Sequence, residues 1–147
     1  MPFDGAFERL QQLRFPWALE FDRESVTAKL RQPKDYRRGE LAYQSLIVLD
    51  LMEKLFVNGA RWIRGSYQNL DGFCLVGAID AVRATRFERD RAGVYLSQAI
   101  TACCGRRLTI EDFNDTRLDY GEIKNIIGLA RERARRVLAR CDEAMIS

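Results

Sequence analysis

The polar residues best placed to do chemistry in this chain are the adjacent pair Asn114-Asp115 and two isolated acids, Asp71 and Asp80. An aspartate at a pocket rim can serve as a base or ligand while a neighbouring amide orients the bound group. Asn and Asp also bond to nearby backbone, so a tight turn between helices is the competing reading. Asp80 is the only acid inside a mostly apolar stretch, residues 73–86. Buried alone, such a carboxylate is costly, and in a pocket its pKa would rise. An ion pair with Arg83 or Arg64, or exposure at a helix edge, would make it ordinary. The chain has no histidine. That removes Ser-His-Asp and Cys-His pairs, histidine-ligated zinc and the usual base poised near neutral pH. In an enzyme built on this sequence, Asp71, Asp80 and Asp115 are the carboxylates that would replace the missing histidine.

Cys74, Cys103, Cys104 and Cys141 include no C-x-x-C pair, so no metal site and no cofactor is expected. Their apolar neighbours suggest reduced thiols acting as small core fillers. Arg131, Arg133, Arg135, Arg136 and Arg140 could make a phosphate-binding helix. On a helical wheel, however, they spread widely and mix with Glu132, Asp142 and Glu143, the pattern of a solvated, ion-paired surface. The net charge of +3 is likewise interleaved along the chain and not gathered on one segment.

These residues need elements to hold them, and 147 residues suffice for one domain with its own core. The composition, 47% hydrophobic and 31% charged, excludes disordered and low-complexity classes. The longest apolar run, residues 73–79, falls well short of the about 20 residues a helix needs to cross a bilayer. Residues 1–39 read as an N-terminal arm. Phe7, Leu10 and Leu13 fit a short helix ending before Pro16. Residues 17–30 fit a hairpin or a helix equally well, and residues 32–39 read as a loop. From Glu40 to Phe56 a wide apolar arc predicts a helix packed on several sides, closed by Asn58-Gly59. Residues 62–72 read as a loop, with Asp71 capping a helix over about 73–86. Its small residues at four-residue spacing (Gly77 and Ala81, Cys74 and Ala78) would admit a neighbouring helix closely. A further helix runs from Arg89 to Cys104 and stops at Gly105. Thr109 caps a short turn, and Asp119 with Glu122 forms a capping box for a helix from about Tyr120 to Ala144. Ile123, Ile126, Ile127, Ala130, Ala134, Val137, Leu138 and Cys141 make its buried stripe.

Trp62, the string Phe73-Cys74-Leu75-Val76-Gly77-Ala78-Ile79, and Ile110 followed by Phe113-Asn114-Asp115 form a recognisable order. Over about residues 50–140 it resembles a family of small bacterial and phage proteins described only as a domain of unknown function. The family pattern runs roughly W-G-YCL-GAI and then I-x-x-WND; Phe73 and Phe113 stand here where it has Tyr and Trp. The resemblance implies a helical fold and carries no activity with it.

The expectation is therefore a mainly α, single-domain bundle (residues 1–147). Four to five helices in a core of residues 40–147 surround a buried central helix at about 73–86, with an irregular or β-hairpin arm. Trp62, Asp71, Asp80, Asn114 and Asp115 are the candidate binding residues. Phe15, Trp17 and Phe21 are apolar mass outside the recognised core and the candidate interface of a homo-oligomer. The N-terminus has neither a basic nor an apolar leader segment. Together with reduced thiols, this points to the cytoplasm; the expected function is a non-catalytic interaction module working by apolar surface recognition. Nucleic-acid binding by the C-terminal arginines and a histidine-free enzyme are the alternatives.

Overall fold

The computed structural model describes the backbone of residues 33–146 and the side chains of residues 37–143. Phe15, Trp17, Phe21 and the choice between hairpin and helix at 17–30 lie outside the described residues. The described chain is mainly helical. Its elements are α1 (Pro33–Leu55), a 3-10 turn (Val57–Gly59), β1 (Gln68–Asn69), β2 (Gly72–Phe73), α2 (Leu75–Ala81), α3 (Arg86–Cys104), α4 (Ile110–Thr116) and α5 (Tyr120–Ile146).

The long helices α1, α3 and α5 pack on one another and bury most of the core. Ala42, Val48, Leu49 and Met52 of α1 meet Ala92, Leu96, Ala99 and Ile100 of α3 and the Ile123–Leu138 stripe of α5. The α5 stripe is buried as its periodicity requires, with Val137 half-buried at its edge. Ser45, buried in α1, donates its hydroxyl to the Leu41 carbonyl at 2.7 Å, so its polarity is satisfied within the helix.

Several boundaries differ from expectation, each for a local reason. Residues 33–39 are helical and not a loop, because Pro33 stands at the first helical position, where its missing N–H removes no bond. The expected start of the core at residue 40 therefore falls inside α1. The helix expected at 73–86 is shorter, because Phe73 is used by β2 and Val82 turns extended (ψ 134°) ahead of the Thr85 cap of α3. Its middle, Leu75 to Ile79, is buried apart from Val76. Asp71 does not cap it. That place is taken by Cys74, whose sulfur accepts the Gly77 N–H at 3.4 Å, while Asp71 occupies the hairpin turn. Cys103, expected as a core filler, is exposed; Cys74 and Cys141 are buried. Asn58-Gly59 does not close α1 directly: the helix ends at Leu55, and Val57 and Asn58 already take positive φ (47° and 54°) ahead of Gly59. Three other ends form as expected. Gly105 ends α3 in the left-handed region (φ 70°), Thr109 accepts from Asp112 at 3.0 Å, and Asp119 accepts from Glu122 at 3.2 Å. Glu122 reaches back to the Leu118 N–H at 3.1 Å, one residue before the cap.

Candidate functional site

The candidate pair sits on α4, and Asn114 is fully buried. Its Oδ1 accepts from the Trp62 indole N–H at 2.8 Å and from the Leu75 N–H at 3.1 Å. Its Nδ2 donates to the Ile63 carbonyl at 3.0 Å and to Asp115 Oδ1 at 3.1 Å. A side-chain amide offers two donors and two lone pairs, and here all four are engaged. Asp115 Oδ1 also accepts the Gly65 N–H at 2.9 Å. The pair thus does not tie a tight turn: it bonds to groups 39 to 52 residues earlier in the chain, in the segment from Trp62 to Leu75.

That segment is itself closely built. Phe73 donates its N–H to the Arg61 carbonyl at 2.8 Å, and Ile63 donates to the Phe73 carbonyl at 3.0 Å. Cys74 donates to the Tyr67 carbonyl at 3.0 Å, which seats that carbonyl against the first turn of α2. Gly77 makes room for it: a Cβ there would lie 1.7 Å from the Tyr67 oxygen. Gly72 does the same for the Arg61 carbonyl, again at 1.7 Å. Trp62 packs against the Tyr120 ring at 6.4 Å. Burial, more than anything else, pushes the Cys74 thiol up; the N–H groups of Gly77 and Val76 oppose this, and the charges of Asp115 and Glu111 add to it. A thiol so raised carries little of the reactive thiolate.

Trp62, Asn114 and Asp115 are therefore brought together, while Asp71 and Asp80 are not part of their network. Asp71 is exposed in the hairpin turn, where its N–H meets Asn69 Oδ1 at 2.7 Å. Asp80 is exposed at the end of α2, on the rim of a wide open groove of about 1420 Å³ along α3 that also includes Arg89, Arg107 and Glu111. Exposure at the helix edge, rather than an arginine partner, accounts for it. No group of three His, Cys, Asp or Glu side chains able to hold a metal ion occurs among the described residues.

The C-terminal arginines divide. Arg131 crosses to α1, bonding Asp50 at 2.9 Å and also Glu53. Arg136 lies 3.8 Å from Glu132 on the surface. Arg135 and Arg140 are exposed. The hairpin 68–73 and the close approaches at Gly72 and Gly77 are what sequence reasoning missed. The Asp71-Gly72 dipeptide was the available hairpin signal.

No protein-family model matches this chain, and the searches of curated proteins and of solved structures likewise gave no match. No described helix is long and apolar enough to cross a membrane.

Proposed function

We propose that the chain is a cytoplasmic protein-interaction module that pairs with a second copy of itself and presents the 61–74 loop as a rigid surface, without a reaction of its own. The pattern that resembles the small bacterial and phage family is, on this reading, an architectural signature. The supporting observation is the saturation of Asn114: every hydrogen-bonding position of the most pointed polar residue is occupied by this chain's own groups. A side chain in that state orients a loop and has no position left for a substrate. The loop it holds bears Tyr67 and Leu70 in solvent. Phe15, Trp17 and Phe21 supply the apolar side chains for the pairing.

Light scattering over micromolar concentrations tests the pairing. A dimer is expected, reduced to a monomer by the triple change Phe15→Ser, Trp17→Ser and Phe21→Ser. A wild-type chain that stays monomeric throughout overturns it.

A further inference from the structure

We propose that the groove along α3 receives residues 15–24 of the second copy, taking in Phe15, Trp17 and Phe21. This rests on the pairing proposed above and names the surface that accepts it.

The groove, about 1420 Å³, is lined by α3, by parts of α2 and α4, and by Arg133 of α5. That exceeds the about 300–1,000 Å³ of a small-molecule site and suits a stretch of chain. Val76, Val94, Leu108 and Ile110 line it, each half-buried or exposed, so each has apolar surface left to cover. Gly93 keeps the α3 wall low: a Cβ there would meet nothing within 4 Å. Two Phe and one Trp, each bringing about 150–250 Å² of surface, gain most from such a lining. Both signs of charge are present. Arg86, Arg89, Arg107 and Arg133 stand against Asp80, Asp90 and Glu111, with Arg86 lying 3.7 Å from Asp90. The balance is one positive charge. Residues 15–24 carry Glu20, Asp22 and Glu24 against Arg23, a balance of two negative charges. Charge thus favours this segment only modestly, and apolar contact carries the docking.

Chain length permits the exchange. Residues 1–32 lie outside the described residues and lead into α1 at Pro33. The first turns of α1 run beside α3: Glu40 is within electrostatic reach of Glu88, and Tyr95 of Arg38. The twelve residue steps from Phe21 to Pro33 can span about 40 Å, more than the about 24 Å along α3 from Arg86 to Ala102. Each copy has one such segment and one groove, so mutual exchange closes a twofold dimer and leaves no groove open. The phosphates of a nucleic acid would instead meet Asp80, Asp90 and Glu111.

The test uses a fluorescein-labelled peptide of residues 15–26 and the full chain carrying Phe15→Ser, Trp17→Ser and Phe21→Ser, which cannot supply the aromatic side chains itself. The peptide is expected to bind. Adding Gly93→Glu, which puts a carboxylate into the groove, should weaken binding about tenfold. Gly128→Glu on α5, equally open and outside the groove, should leave it unchanged. Unchanged circular dichroism of each variant shows that the fold survives. Failure of the peptide to bind, equal binding by the Gly93→Glu variant, or equal weakening by Gly128→Glu overturns the proposal. Light scattering on chains with the three aromatics intact keeps the two claims apart. A dimer that persists with Gly93→Glu refutes this groove and leaves the pairing standing. A wild-type monomer refutes the pairing, and with it the second copy as donor, whatever the peptide does.

Discussion

Replacing Asn114 with alanine tests the structural account most directly. The change removes four hydrogen bonds at once and leaves the Trp62 indole N–H, the Leu75 N–H and the Ile63 carbonyl without the partner they have now. At about 0.5–1.5 kcal/mol net for each bond, the additive range is about 2–6 kcal/mol. The bonds belong to one network and are not independent, and water can enter from the loop side, so the expected loss is about 3–4 kcal/mol. Against a total stability of about 5–15 kcal/mol this is large without being fatal. It corresponds to a fall in Tm of roughly 10 °C for a domain of this size. Urea denaturation followed by circular dichroism gives the free energy. Trp62 fluorescence in a Trp17→Phe background reports the loop, since the chain has only two tryptophans. Asn114→Asp sharpens the test. It keeps the acceptor oxygen but loses the amide donor and sets an anion beside Asp115 and the Ile63 carbonyl, so near neutral pH it should be at least as damaging as alanine. A loss below about 1 kcal/mol for Asn114→Ala would refute the idea that this side chain holds the loop.

Three further outcomes follow from the same geometry. Gly77→Ala places a Cβ against the Tyr67 carbonyl and should cost about 2–4 kcal/mol, whereas Gly93→Ala on α3, where a Cβ meets nothing within 4 Å, should gain about 0.5–1 kcal/mol; equal effects in chemical denaturation would count against the close approach. Glu40 is held above the usual carboxylate range, first by burial and then by the charge of Glu88, with Arg37 opposing. A raised folded-state pKa favours the protonated form, so this group's penalty is absent below the ordinary carboxylate value and grows as pH rises through the folded one. Glu40→Gln should therefore stabilise at pH 7 and change little at pH 3.5, and the reverse order in denaturation midpoints would sink that reading. In native protein a thiol reagent should modify Cys103 rapidly and Cys74 and Cys141 only on unfolding; mass mapping of early-labelled sites checks it.

The helices were legible because their signals are local. The α5 stripe, the Thr109 and Asp119 caps and the Gly105 stop each depend on residues within one or two turns. The loop before α2 was not legible, because its structure is decided by partners far away in sequence. Phe73 looks like the first residue of an apolar helix until Gln68 and Trp62 are found beside its backbone. Gly77 resembles a helix-packing residue, since spacing cannot reveal that the Tyr67 carbonyl is what approaches it. The Asn114-Asp115 pair was legible as important and misread in scale. The side chains do bond to backbone, but across some 50 residues and not within a turn.

That difference in scale bears on how the pattern of Trp62, Cys74, Gly77, Asn114 and Asp115 should be understood. Read along the chain, it looks like an active-site motif: an aromatic, a thiol, a glycine, an amide and an acid. In space each member meets a need of the same loop. Trp62 supplies the indole N–H that Asn114 accepts, and Cys74 accepts from the first turn of α2. Gly77 admits the Tyr67 carbonyl, and Asp115 holds the Gly65 N–H. Beyond its short hairpin and a few backbone bonds, the loop leaves backbone groups to be satisfied, and side chains reaching from a neighbouring helix meet part of that need. The arrangement uses its polar groups to hold a surface in place. On the reading proposed above, function is sought on the outward side of the loop, where Tyr67 and Leu70 are exposed, while these residues hold that loop in place.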